Sequence, residues 1–172
     1  MGKRIPRRRF FPSPFFLGEW DDIACTMKRI LALTIALLVT LGTWASADEW
    51  LVNYAQALST AKAQNKPVLI DFTGSDWCGW CMKLDREVFN VADFKSYAEQ
   101  KLILLKIDFP RGKPQPAQEK AQNEKLAAQY GVQGFPTVIV LKPDGSKAGE
   151  LGYLPGGPKA FIDALEKVTP GK

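Results

Sequence analysis

From residue 50 onward the apolar positions follow two spacings. Asn53-Tyr54-Ala55-Gln56 opens a helix, with Asn53 as cap and Gln56 three positions on; Tyr54, Ala55, Leu58 and Ala61 recur at helical spacing until Lys66-Pro67 ends it. Val68 to Phe72 is a short, nearly all-apolar run, the pattern of a strand covered on both faces. Turn residues Thr73 to Asp76 follow. A helix is expected from about Cys78, with Met82, Leu84, Val88 and Phe89 on its inner side, and a second helical piece over Val91 to Gln100, with Phe94 and Tyr97 inward. Leu102 to Phe109 is a second apolar strand. Three prolines in 110–116 make the next segment a loop, read either as partner-facing or as a solvated connection. Ala117 to Tyr130 is a polar-faced helix closed by Gly131. Thr137 to Leu141 is a strand, Pro143 to Ser146 a hairpin turn, and Lys147 to Gly152 a less apolar edge strand. A last helix carries Phe161, Ile162, Leu165 and Val168 on one stripe. Strand–helix–strand units predict an α/β domain with a largely parallel central sheet, helices on both faces, and one antiparallel edge from the final hairpin.

The residues before 50 have a different character. Met27-Lys28-Arg29 is followed by the apolar stretch Ile30 to Gly42 and then Ala45-Ser46-Ala47. This is the three-part layout of a secretory signal over 27–47, with cleavage expected after Ala47. The apolar stretch is shorter than the roughly 20 residues a membrane-spanning anchor needs, which makes an uncleaved tether the weaker reading. No cysteine follows the stretch, as a lipoprotein would require. Residues 1–26, rich in arginine and phenylalanine, are read as lying upstream of the true start at Met27, or as a long basic leader. A twin-arginine signal at Arg7-Arg8-Arg9-Phe10-Phe11 would stand far from the apolar core. The expected organisation is a leader over 1–47 and one domain over 48–172, long enough for its own core.

That division changes the charge and the cysteine count. The whole chain carries +5, but seven of its 23 basic and three of its 18 acidic residues lie in 1–47, leaving 48–172 at +1. The basic character belongs to the leader and gives no support to nucleic-acid binding. Cys25 goes with the leader, so 48–172 keeps Cys78 and Cys81, whose pairing is then unambiguous. Outside the cytosol such a pair can persist as a disulfide. The chain has no histidine. That excludes a Ser-His-Asp or Cys-His hydrolase, a His-ligated zinc site and haem attachment through Cys-x-x-Cys-His; two cysteines alone make a poor closed zinc site.

The chemistry is carried by Trp77-Cys78-Gly79-Trp80-Cys81, where the first strand hands over to a helix. Two thiols three positions apart can alternate between dithiol and disulfide. The first sits where helix-terminal amides favour a thiolate, the species that attacks disulfides. By itself the motif also allows metal binding or a structural loop closure.

The order of elements, the WCxxC motif after the first core strand and Phe135-Pro136-Thr137 before the hairpin together resemble the thioredoxin superfamily over roughly residues 50 to 169. Lys66 to Phe72, Trp77 to Cys81 and Glu87-Val88-Phe89 are most similar to exported thioredoxin-like domains, including the periplasmic end domain of the transmembrane disulfide reductase. The resemblance implies a thioredoxin-like fold, α/β, with a central mixed sheet of about four strands and the last hairpin antiparallel. It implies that Cys78 is the exposed nucleophile and Cys81 the more buried resolving thiol. Pro136 matches a cis-proline lying against the disulfide, and the backbone of Phe135 before it would pair with an extended substrate. Asp71 matches a buried carboxylate that assists proton transfer at the resolving cysteine, its pKa raised by its apolar strand. The turn 73–77 is one residue longer than usual, so Asp71 is read alternatively as a carboxylate satisfied by backbone donors at the strand's end. Lys106 is read as an exposed lysine rather than a partner of Asp71. Trp77 is read as packing over the site, Gly79 as allowing close approach, and Trp80 as apolar contact to a substrate.

The expected function is thiol–disulfide oxidoreduction with protein thiols and disulfides in the cell envelope, periplasmic or secreted, without a bound cofactor or metal and with electrons exchanged through a redox partner in the membrane. Gly79-Trp80 does not fix a potential, so oxidant, reductant and isomerase are all open. A single domain without a dimerisation segment, expected to be a monomer, favours a simple reductase. The alternative from another class is a non-catalytic binding or chaperone module with a structural disulfide. A thiol peroxidase would want an arginine at the site, and Arg86 lies beyond the helix start.

Overall fold

The computed structural model describes residues 50–169. The expected leader 1–47, its signal at 27–47 and Cys25 lie outside the described residues. Helix α1 spans Tyr54–Gln64: Asn53 caps it by accepting from the Gln56 N–H at 2.9 Å, and Asn65 ends it in the left-handed region at φ 51°. Its buried positions are Ala57 and Ala61, with Tyr54 and Leu58 partly buried. Ala55, expected inward, is exposed, because the stripe that starts at Tyr54 continues through 57, 58 and 61.

Strand β1 (Val68–Thr73) is buried at every position and lies inside a four-stranded sheet of order β2-β1-β3-β4, where β2 is Ile103–Asp108, β3 Thr137–Leu141 and β4 Lys147–Leu151. Of the three pairings, β1 with β2 is parallel, while β1 with β3 and β3 with β4 are antiparallel. The mixed sheet and antiparallel hairpin match expectation; a largely parallel sheet does not. The reason is the route of the connection 109–136. It leaves β2 where Asp108 pairs with Thr73 and re-enters the sheet where Thr137 pairs with Phe72, at the same end of β1. Periodicity predicts the helix within that connection (Ala117–Tyr130), not the end at which the chain returns.

The alternation of β1 divides the core between the two faces of the sheet. Val68, Ile70 and Phe72 pack with Ala57, Ala61, Leu105, Ile107 and Leu126. On the other face Leu69 packs with Leu84, Val88, Phe94, Phe161 and Leu165. By the same period of two, Asp71 shares the face of Leu69.

That second face is covered by α2 (Gly79–Leu84), which runs on into a π-helical turn (Asp85–Phe89), by α3 (Ala92–Lys101) and, beyond the connecting helix α4 (Ala117–Tyr130), by α5 (Gly157–Val168). In α2, Cys81 and Leu84 are buried and Met82, expected inward, is exposed; a position next to Cys81 is turned about 100° away from it. Rings of Phe89, Phe94 and Phe161 meet with centroids 5.0 to 6.0 Å apart and fasten these helical segments together. Phe161→Ala is expected to cost about 3 to 5 kcal/mol in urea unfolding, and Ile162→Ala, at a partly buried neighbouring position, less than half of that.

Candidate functional site

Between β1 and α2 the chain turns through Gly74 to Trp77. The Gly74 carbonyl accepts from the Cys78 N–H at 2.9 Å, and the Trp77 ring lies so close above Gly74 that an added Cβ would stand 2.5 Å from Trp77 Cε2. Only glycine fits there. The turn is fastened to the end of β2 and the loop after it. Asp108 accepts from the Ser75 N–H at 2.9 Å and from its hydroxyl at 2.6 Å. The Asp76 carboxylate accepts from the N–H groups of Arg111, at 3.0 Å, and Gly112, at 2.7 Å, which hold its pKa below the usual carboxylate range. The Trp77 indole N–H donates to the Phe109 carbonyl at 2.7 Å. These bonds accommodate the long turn, and they dock the start of the proline-containing loop against the site.

Cys78 stands at the N-cap of α2, is disulfide-bonded to Cys81 with Cα atoms 5.2 Å apart, and accepts from the Cys81 N–H through Sγ at 3.2 Å. Cys78 is 8% exposed and Cys81 4%, so with the disulfide closed both residues are largely covered, Cys78 the less so. The surface is carried by Gly79, whose added Cβ would meet nothing within 4 Å, and by Trp80, 58% exposed. The Trp80 ring lies 5.2 Å from that of Tyr153, whose hydroxyl donates to Glu87 at 2.7 Å. The Phe135–Pro136 peptide bond is cis, and the Phe135 ring packs edge-on to Trp77, with centroids 5.9 Å apart, and 5.1 Å from Phe109.

Asp71 is 3% exposed, and its Oδ1 is buried without a hydrogen-bond partner. A carboxylate fully satisfied by backbone donors is therefore not what the fold contains. Burial pushes the carboxyl up to about 7, opposed by Lys106 and helped by Asp85 and Asp108. Lys106, expected to be exposed, is half-buried: it sits opposite Asp71 on β2, with Nζ 3.7 Å from Asp85 and 5.1 Å from the Trp50 ring centroid. Lys106, Asp85, Thr73, Ser75, Met82 and Cys81 line a cavity of about 110 Å³. The sequence reading missed Asp85, although its place four residues after Cys81 puts it on the same helix face. It also missed Lys83, three residues after Trp80 on the same helix, and Tyr153 and Arg111, whose surroundings depend on loops that carry no periodic signal.

The raised carboxyl has a stability consequence. Because the folded state holds the Asp71 proton more tightly than the unfolded chain, the contribution of Asp71 to stability is fully present below the ordinary value of 3.8 and is lost as pH rises toward about 7. Asp71→Asn is expected to remove that slope and to gain about 2 to 4 kcal/mol at pH 8 over wild type. Urea unfolding across this range checks it; equal slopes for the two proteins would show that the carboxyl titrates normally.

Residues 54–169 match a family model described as a thioredoxin-like domain. The disulfide bond reductase DsbH of Chlamydia pneumoniae is 36% identical over 114 residues, covering 66% of this chain and 69% of that protein. The thioredoxin-related protein DsbJ of the same organism is 27% identical over 136 residues, 74% of this chain but 39% of its own length. A solved DsbH oxidoreductase superposes with a TM-score of 0.68 at 34% identity, over 72% of this chain and 85% of that one. The chain belongs to the thioredoxin-like domain family.

Proposed function

We propose that this chain is a thiol–disulfide oxidoreductase that reduces protein disulfides in the cell envelope. The observation that carries the reading is the Cys78–Cys81 disulfide at the start of α2, with the Cys81 N–H aimed at the Cys78 sulfur. A donor in that position stabilises charge on Cys78 when the disulfide opens. The reducing direction is supported by the similarity to a protein named a disulfide bond reductase. Export rests on the signal pattern over 27–47.

In each turnover the Cys78 thiolate attacks one sulfur of a partner disulfide, forming a mixed disulfide and expelling the partner's other sulfur as a thiolate. Cys81 loses its proton and attacks Cys78, releasing the second partner sulfur. Two electrons pass from the dithiol to the partner, whose two sulfurs end as thiols, and Cys78–Cys81 is left oxidised. The Cys81 proton goes to Asp71, whose carboxyl burial pushes up to about 7, or to water. Electrons come back from a redox partner, and the cysteine pair itself is the carrier, without a further cofactor. Trp77, Gly79, Trp80, Phe135 and Pro136 form the face a partner meets. A structural disulfide in a binding module would give no use to a buried carboxyl that lowers stability, which favours the enzyme reading.

In the reduced protein Cys78 is expected to alkylate faster than Cys81. Cys81→Ala should accumulate mixed disulfides with envelope proteins, and Cys78→Ala should not. The pair should have a potential below about −200 mV, as a reductant requires; a value near about −120 mV would make it an oxidant instead.

A further inference from the structure

A tryptophan precedes each cysteine of the pair, and each tryptophan carries a cation. The Arg111 guanidinium carbon lies 3.7 Å from the Trp77 ring centroid. Lys83 Nζ lies 5.1 Å from that of Trp80 and 5.0 Å from that of Tyr153. The carboxylates around them are engaged elsewhere. Asp76 is held by the backbone of Arg111 and Gly112, Glu87 accepts from Tyr153 and lies 3.8 Å from Arg86, and Asp85 faces Lys106 and Asn90. Among the described residues neither Arg111 nor Lys83 has a carboxylate within ion-pair distance. A ring beneath a cation fixes its position without neutralising it, and a guanidinium lying on an indole keeps its N–H edge available. Because 48–172 carries a net charge of only +1, these two charges are a local feature rather than part of a generally basic surface.

We propose that Arg111 and Lys83 select partner segments that carry carboxylates beside the cysteine under attack. The inference rests on the thiol–disulfide exchange proposed above and gives that site its substrate class: an acidic, extended segment. Such a segment finds both cations unpaired, so its carboxylates displace water rather than another protein group. A basic segment meets two like charges and is disfavoured on approach.

The test uses the reduced protein, two disulfide-linked peptides that differ only in Glu or Lys on either side of the cysteine, and uncharged bis(2-hydroxyethyl) disulfide. The Glu peptide is expected to be reduced about tenfold faster than the Lys peptide at low salt. The gap should narrow at about 0.5 M salt, where charges at a surface are screened. Charge reversal of both cations, Lys83→Glu with Arg111→Glu, should invert the order. Lys142→Glu, at the opposite end of β3, should leave it, showing that position and not net charge matters. Lys83→Gln and Arg111→Gln should each narrow the gap, which keeps the test decisive if the double variant fails to fold. Equal rates for the two peptides, or an order unchanged in the variants, would overturn the proposal. Failure to reduce the uncharged disulfide would overturn the exchange function itself, and the proposal with it.

Discussion

Where β1 ends, the chain has to turn before α2 can begin, and the residues of that turn are held by the last residue of β2 and the loop that follows it. Ser75 binds Asp108, Asp76 binds the backbone of Arg111 and Gly112, and Trp77 binds the Phe109 carbonyl. Two of these attachments involve a carboxylate, and a hydrogen bond to an ionised acceptor is stronger than one between neutral groups. Together they set where α2 starts, and so where the disulfide stands. Arg111 is positioned by the same bonds, because its backbone is one of the anchors while its side chain rests on Trp77.

A sheet interior this apolar is a poor place for a charge, and Asp71 occupies it without a partner for Oδ1. The fold tolerates the cost because Val68, Leu69, Ile70 and Phe72 of the same strand are apolar and packed on both faces. Lys106 offsets part of the burial, but it also faces Asp85 and the Trp50 ring, so its charge is not devoted to Asp71. The carboxyl therefore exchanges its proton near neutral pH, a property that a tight ion pair would have abolished.

Much of this was legible in the sequence. Strands β1 and β3 stand out as apolar runs, Gly131 closes α4 at φ 66°, and Asn53 caps α1, because each depends on residues close by in the chain. The cysteine pair and the burial of Asp71 followed from a motif and an apolar strand. The direction of β3 was not legible, since it depends on how a long connection crosses the sheet. Met82 and Ala55 were misplaced because one-residue errors in helical phase turn a side chain by about 100°. Tyr153 and Arg111 find their partners only once loops have folded, and their spacing in the chain gives no sign of it, whereas Lys83 lies three residues after Trp80 on α2, a helical spacing that was there to be read.

The burial of Asp71 in a chain that has no histidine makes the molecule unusually simple to follow spectroscopically. Between roughly pH 6 and 8, where imidazoles dominate the titration of most proteins, no such background exists here. Because burial pushes the Asp71 carboxyl up to about 7, an isotope-edited aspartate carbonyl signal that titrates in this range would report that interior proton, and its midpoint would move if the charge on Lys106 or Asp85 were removed.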